Sequence, residues 1–386
     1  MKKSLIALGF GTLCLGIAEF VMMAILPYVA ADLRVSIPTA GHLISAYALG
    51  VCCGAPVLTL VRRYPLKRIL LCLVAVMMAG NLLAALSPSY GLMLVARFVS
   101  GLPHGAYFGV GSIVAARLAD EGKGTQAVSI MIAGMTVANL FGVPLGSSVG
   151  ALLSWRVAFL FVGGMGLLTL YYIWKWVPPV EGLPDAGFKG QFRFLRTPAP
   201  WLIFGATMLG NGAIFCWYSY VHPQLTAVSG FAEEAVSMLM VLAGFGMVVG
   251  NLVSGRLSDR FTPGRVAAAT EGVIVATLLA IYLLSPVRPL MPLLLCTATA
   301  GLFAVSGPLQ VSIIRFAPGG ELLGAACIQM AFNLGNAVGA ALGGLPIDAG
   351  LGYRVPALIG VPMALVGLVL LLVFVKRYET PALRKV

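Results

Sequence analysis

The sequence predicts an all-α membrane protein with twelve transmembrane helices in two six-helix bundles, and three observations carry that prediction. The 386 residues are 60% hydrophobic and 10% charged. A soluble domain is about 45–50% apolar and about a quarter charged, so this chain cannot cover itself with a water-compatible surface. Apolar stretches bounded by charge or by Pro and Gly fall at about residues 4–27, 38–61, 68–87, 91–116, 126–151, 155–177, 201–224, 233–255, 265–285, 290–314, 322–347 and 353–375. Each is long enough for one crossing at about 20 residues. The second half then repeats landmarks of the first.

That repetition fixes the division of the chain. Gly50 and Gly54 return as Gly246 and Gly250, Gly101-Leu102 with Ser112-Ile113 as Gly301-Leu302 with Ser312-Ile313, and Trp155-Arg156 as Tyr353-Arg354. Asn139, Gly142 and Gly146 return as Asn336, Gly339 and Gly343. The offsets of 196, 200, 198 and 197 lie near half the length, and chance glycine matches would not fall in order. Bundles over residues 1–177 and 201–386 follow, joined by a polar cytoplasmic linker at 178–200 that opens with Pro178-Pro179.

The net charge of +12 is a matter of topology. With the amino terminus inside, twenty of the 25 Lys and Arg fall on the cytoplasmic side, against Arg34, Arg156, Arg288 and Arg354 opposite, and Arg97 lies within a span. The positive-inside rule then puts both termini in the cytoplasm, across a bacterial inner membrane. No basic run is interleaved with exposed aromatics, so a nucleic-acid partner is not expected. The seven cysteines all lie in apolar stretches and read as small buried hydrophobes. No Cys or His cluster has metal-ligand spacing, and neither metal nor cofactor is expected. Met1-Lys2-Lys3 before an apolar run resembles a signal peptide, yet the run is too long, contains Glu19 and leads into further spans. A retained first helix is expected, with Val29-Ala30-Ala31 as the alternative cleavage site. A membrane enzyme is disfavoured by the absence of HExxH, GxSxG and phosphate-loop patterns.

The loop motifs carry a family resemblance. Gly255-Arg256-Leu257-Ser258-Asp259-Arg260, followed by Gly264-Arg265, is similar to the cytoplasmic loop motif of the major facilitator superfamily. Gly255 is expected to let helices approach, Asp259 to cap a helix amino terminus, and Arg260 and Arg265 to hold the inward face in one state. An ordinary basic loop is the alternative. The counterpart running from Gly54 through Arg63 to Arg68 lacks the acid, which resembles the drug and sugar proton antiporter branch. Arg97 to Gly105 resembles that branch's arginine motif, and Gly134 with Gly142-Val-Pro144-Leu-Gly146 its export-associated glycine and proline motif. Pro144 permits a bend, with plain tight packing as the alternative. Across nearly the whole chain the sequence is similar to the arabinose-induced transporter group, most of all over Gly9 to Phe20, Ala40 to Pro56 and Gly320 to Gly344. The resemblance implies a monomeric proton-driven exporter whose partners are protons, membrane lipid and a small molecule such as a sugar, nucleoside or drug. Its substrate is expected near the midplane.

An ionisable group within a span is costly and usually faces a cavity or a partner. Glu19 lies about 22 Å from the inner end of the first helix, at about 1.5 Å per residue. Arg97 enters from outside to a matching depth, so a Glu19 and Arg97 pair coupled to proton exchange is expected, with a permanent ion pair as the alternative. His104 lies seven residues beyond Arg97 on nearly the same face, either as a proton relay or as a buried packed histidine. Glu271 is expected to face the loop arginines. Substrate candidates are Asn139, Asn211, Trp217, Tyr218, Tyr220, Gln310, Asn333 and Asn336, an amphipathic and uncharged set for a neutral cargo. Uptake by symport, a channel or a non-transporting receptor share this topology and stay open as alternatives.

Overall fold

The computed structural model describes residues 2–61, 64–120, 124–182, 192–318 and 321–380. Among these the secondary structure is helical, without strands. The chain forms two compact units, Met1–Asp185 and Ala186–Val386.

The first unit holds α1 (Lys2–Asp32), α2 (Ile37–Val61), α3 (Leu66–Leu86), α4 in two segments (Tyr90–Gly101 and Pro103–Arg117), α5 and α6 (Trp155–Trp176). α5 runs over Gly124–Val137, a π-helical turn at Ala138–Gly142 and Val143–Leu152. The second unit holds α7 (Pro198–Tyr218), α8 (Glu233–Arg260), α9 (Pro263–Leu284), α10 (Met291–Ala304 and Ser306–Arg315), α11 (Glu321–Asp348) and α12 (Val355–Phe374, with a π-helical turn at Val375–Glu379). Ten helices among the described residues are long and apolar enough to cross a membrane. The other two, α4 and α5, are interrupted, as α10 is at Val305. Proline supplies no N–H, so the hydrogen-bond ladder of α4 is interrupted at Pro103 and α5 widens into a π turn before Pro144, while Leu102 and Val143 keep helical backbone angles.

Small residues set the helix contacts. In membranes, packing without a hydrophobic driving force favours residues that let backbones approach. A Cβ at Gly50, Gly54 or Gly101 would overlap the carbonyl of Phe98, Leu102 or Tyr47, which brings α2 onto α4. The same relation recurs for Gly246 and Gly250 against Cys296 and Ala300, between α8 and α10. Gly134 abuts the Gly9 carbonyl, and Gly142, Gly146 and Gly150 abut Ile17, Val21 and Ile25, so α5 lies along α1 at steps of about one turn. Gly335, Gly339 and Gly343 meet Met208, Gly212 and Cys216 in the same way, laying α11 on α7. The repeated pairs Gly50/Gly246, Gly54/Gly250, Gly142/Gly339 and Gly146/Gly343 thus recur as helix contacts, whereas Gly101 meets α2 and its counterpart Gly301 meets Ile274 of α9.

The arginines of the repeated Trp155-Arg156 and Tyr353-Arg354 pairs tie down equivalent corners. Arg156 bonds to Asp32 and donates to the Ser87 carbonyl at 3.1 Å, after α3. Arg354 donates to the Tyr282 carbonyl at 2.7 Å, near the end of α9.

The connection between the units is docked at both ends. Val180 is buried in the first core and its carbonyl accepts from Leu66 N–H at 2.9 Å, while Arg117 donates to the Glu181 carbonyl at 2.8 Å. Phe194 is buried in the second core beside Ala199 and Ile203. α7 starts at Pro198, inside the stretch read as linker, because proline suits the first helical position.

Candidate functional site

In the first unit a buried polar cluster forms where α1, α2 and α4 meet. Glu19 on α1, Arg97 and His104 on α4, and Tyr47 on α2 are all buried. The Glu19 carboxylate lies 3.8 Å from His104 Nε2. Across the ring, the Tyr47 hydroxyl and His104 Nδ1 share a hydrogen bond of 2.9 Å. The guanidinium of Arg97 sits over the Tyr47 ring at 4.4 Å from its centroid, and 5.7 Å from that of Phe159 on α6. Glu19 lies within electrostatic reach of both Arg97 and Tyr47. The three residues expected to handle protons thus come together, through Tyr47, which the sequence reading passed over.

The arginine is held mainly by backbone. Nη1 donates to the Ala18 carbonyl at 2.8 Å and Nε to the Leu43 carbonyl at 3.4 Å, while Nη2 is buried without a hydrogen-bond partner among the described residues. Glu19 follows Ala18, so the contact fixes Arg97 at the height of the carboxylate. The break before Pro103 then starts the segment that carries His104, whose ring stacks on Phe108 at 5.3 Å. Chemically, the cluster places a carboxylate, an imidazole and a phenol in a row beside a fixed positive charge. A proton has two acceptors of different basicity there, the carboxylate and the imidazole, and the phenol is hydrogen-bonded to the second.

The expected substrate residues fall into smaller groups. Asn211 on α7 bonds to Asn336 on α11 and donates to the Phe332 carbonyl at 3.0 Å. Tyr220 donates to the Ala340 carbonyl at 2.7 Å, and Trp217 Nε1 to Gln224 at 3.2 Å. These contacts join helices or close the end of α7, and Tyr218 is buried against Phe215 and Trp217. Asn139 donates to Met135 of its own helix at 3.0 Å, in the π turn of α5. Gln310 on α10 accepts from Gln329 on α11 at 3.5 Å. One turn along α11, Asn333 donates to the Gln329 carbonyl at 3.0 Å, and its buried Oδ1 has no partner among the described residues. Gln310, Gln329 and Asn333 form a polar row with spare acceptor capacity.

Of the loop-motif residues, Gly255 departs from expectation. At Gly255 no heavy atom lies within 4 Å of an added Cβ, so this glycine does not mediate a close approach, whereas Gly54 does. Arg63 lies outside the described residues, as does the side chain of Asp259. Arg260 lies over Phe261 at 5.7 Å, and Arg265 is exposed. The amino terminus of α9 is capped by Thr262, which accepts from Arg265 N–H at 3.3 Å. Glu379, from the end of α12, reinforces this cap by accepting from Gly264 N–H at 2.7 Å and from the Thr262 hydroxyl at 2.6 Å. The signal for the cap was Thr262-Pro263, a cap residue before a first-turn proline.

Glu271 departs most from expectation. It is fully buried among helices rather than facing loop arginines, because its side chain leaves α9 on the face toward Gly210 and Gly367. No group of three or more His, Cys, Asp or Glu among the described residues is placed to hold a metal.

Comparison with known proteins supplies the family. Residues 8–326 match the model of the Major Facilitator Superfamily. The chain is 48% identical to "Putative transporter AraJ" of Escherichia coli (strain K12), over 93% of this chain and 91% of that protein. It is 30% identical to the "Chloramphenicol resistance protein" of Streptomyces lividans, over 88% of each chain. Identity to the "Probable sugar efflux transporter" of Helicobacter pylori (strain G27) is 27%, over 87% of this chain and 86% of that one. A crystal structure of a bacterial homolog to the human lysosomal transporter Spinster, inward-facing and unoccupied, superposes with a TM-score of 0.71 at 17% identity. It covers 96% of this chain and 94% of its own, and shows the fold. With a family model matched from α1 into α11 and duplicated six-helix halves, the chain belongs to the major facilitator superfamily of membrane transporters.

Proposed function

We propose that this transporter exports a small neutral or amphipathic molecule, of the sugar, nucleoside or drug class, in exchange for protons by alternating access. The observation that carries the reading is the buried Glu19, His104, Tyr47 and Arg97 cluster. A carboxylate 3.8 Å from an imidazole, beside a fixed guanidinium, is an arrangement whose proton affinity changes with small movements of α1 against α4. In this reading Glu19 takes the proton, His104 and Tyr47 pass it on, and Arg97 biases Glu19 toward releasing it. The polar row of Gln310, Gln329 and Asn333 supplies uncharged hydrogen-bonding groups to the cargo.

Support for export comes from relatives whose names include sugar efflux and chloramphenicol resistance. The excess of Lys and Arg in one set of loops supports a cytoplasmic-membrane protein with both termini inside. One proton moving down about 100 mV releases about 2.3 kcal/mol, which sustains about a fiftyfold gradient of a neutral solute at about 1.36 kcal/mol per decade. That range suits relief of overflow or toxicity. The test is a panel of labelled sugars, nucleosides and drugs offered to inverted vesicles with an imposed pH gradient. Accumulation of one class that collapses with the gradient supports export by antiport. Accumulation driven by protons moving with the solute makes it an uptake carrier instead.

A further inference from the structure

Glu271 on α9 lies outside both the Glu19 cluster and the polar row of Gln310, Gln329 and Asn333. Its side chain is fully buried on α9 and, among the described residues, neither carboxyl oxygen has a hydrogen-bond partner. A Cβ at Gly210 on α7 would lie 2.5 Å from Oε2 and 2.6 Å from Oε1, and one at Gly367 on α12 would lie 3.4 Å from Oε1. The absence of a side chain at Gly210 makes the seat that this carboxyl fills, and Gly367 lies in van der Waals reach of it.

The surroundings hold little that could compensate a charge. Helix α7 carries no Asp, Glu, Lys, Arg or His over Pro198–Tyr218, and its titratable groups are Cys216 and Tyr218. Val355–Phe374 of α12 carries none of these, and Met291–Ala304 of α10 offers only Cys296. On α9 itself the other such groups are Arg265, exposed about 9 Å along the axis, and Tyr282. Beyond these, α8 carries Glu233, Glu234, Arg256, Asp259 and Arg260 toward its ends, α10 ends at Arg315, and Lys376, Arg377, Tyr378 and Glu379 follow α12. None of these hydrogen-bonds to Glu271. An ionised carboxylate without donors is far more costly to bury than a neutral acid, so the seat suits the protonated form. A hard divalent cation would need about six oxygens, and this seat presents two.

The fold does not require an acid here. The sequence offsets place Glu271 opposite Val74 on α3 and Gly367 opposite Thr169 on α6 in the first half, at differences of 197 and 198. There Val74 belongs to an apolar cluster with Cys14, and Thr169 donates to the Met165 carbonyl of its own helix and shares a 3.5 Å hydrogen bond with Cys14 of α1, so no ionisable carboxyl is used. One half closes this junction with a valine, and the other with a carboxyl.

We propose that Glu271 is a proton-binding site of the second half, separate from the Glu19 cluster. The carboxyl holds a proton while α7, α9 and α12 enclose it. When these helices part and water reaches the site, the O–H bond breaks, its electron pair stays on the carboxylate, and the proton passes to water. The site stands whether or not Glu19 couples transport.

Infrared spectroscopy of the full chain in lipid vesicles tests it, through the C=O stretch of a protonated carboxyl near neutral pH, compared in H2O and D2O. Wild type and Glu19→Gln are expected to show a D2O-sensitive band that Glu271→Gln loses. Glutamine has the shape of the neutral acid and should leave the seat intact. If the glutamine variant fails to reach the membrane, Glu271→Asp is used, and its band should move. A band unchanged in either Glu271 variant, or none in the wild type, overturns the proposal.

Discussion

Replacing Arg97 by lysine separates its charge from its geometry. The guanidinium donates to the Ala18 carbonyl at 2.8 Å and the Leu43 carbonyl at 3.4 Å, with its face 4.4 Å from the Tyr47 ring. An ammonium is a compact charge without the planar fork, and from one position it keeps at most one of the two carbonyls. Losing one charge-assisted hydrogen bond costs about 1.5–3 kcal/mol. Losing the aromatic face costs about 0.5–2 kcal/mol more. Arg97→Lys should therefore destabilise the protein by about 2–5 kcal/mol while the net charge stays the same. At about 2–4 °C per kcal/mol for a unit of this size, the apparent melting temperature should fall by about 4–20 °C. Thermal unfolding of purified protein followed by tryptophan fluorescence measures this. Arg260→Lys serves as the control, because its side chain is exposed over Phe261 and should shift the midpoint by no more than a degree or so. Equal, negligible shifts in the two variants would show that Arg97 is held by its charge alone, and the account of its seat would be wrong.

Three further outcomes follow from named contacts. Gly250→Val pushes a side chain into the Ala300 backbone, whereas Gly255→Val enters open space; the first should cost at least about 1–3 kcal/mol and reduce the yield of monodisperse protein, and the second should leave both unchanged. Glu379→Ala removes acceptors from Gly264 N–H and Thr262, at a cost of about 3 kcal/mol, and adding Thr262→Ala should cost less than the sum because the two share one hydrogen bond. Full additivity in the melting temperatures would mean that the cap is not a unit. Tyr47→Phe leaves His104 Nδ1 without its 2.9 Å partner, at about 1–3 kcal/mol, and should shift the pH profile of transport. An unmoved profile would reduce Tyr47 to packing.

Much of the fold was legible because a bilayer constrains a sequence strongly. Length and hydropathy of the apolar stretches predict the helices, and the glycines that repeat at half-length offsets became helix contacts in both halves. The matching heights of Glu19 and Arg97, seen in the bond from Arg97 to the Ala18 carbonyl, were readable from counting residues along their helices. Depth does not give the helix face, however, and that is why Glu271 was expected among loop arginines when it sits against Gly210 and Gly367. Tyr47 looked like any aromatic residue in an apolar run, since its partner His104 lies 57 residues away. Glu379 belongs to a polar stretch beyond the last apolar turn, and its role at α9 depends on a tertiary contact 115 residues distant. Gly255 shows the reverse case, a motif glycine whose surroundings are open.

Glu19→Gln reconstituted beside the wild type offers the most direct measurement of the coupling mechanism. Internal pH is recorded in vesicles while each labelled compound is supplied. The account predicts a cargo-dependent proton flux in the wild type, and in the variant cargo binding without proton movement. Undiminished proton flux with glutamine at this position would contradict it, whichever cargo carried the signal.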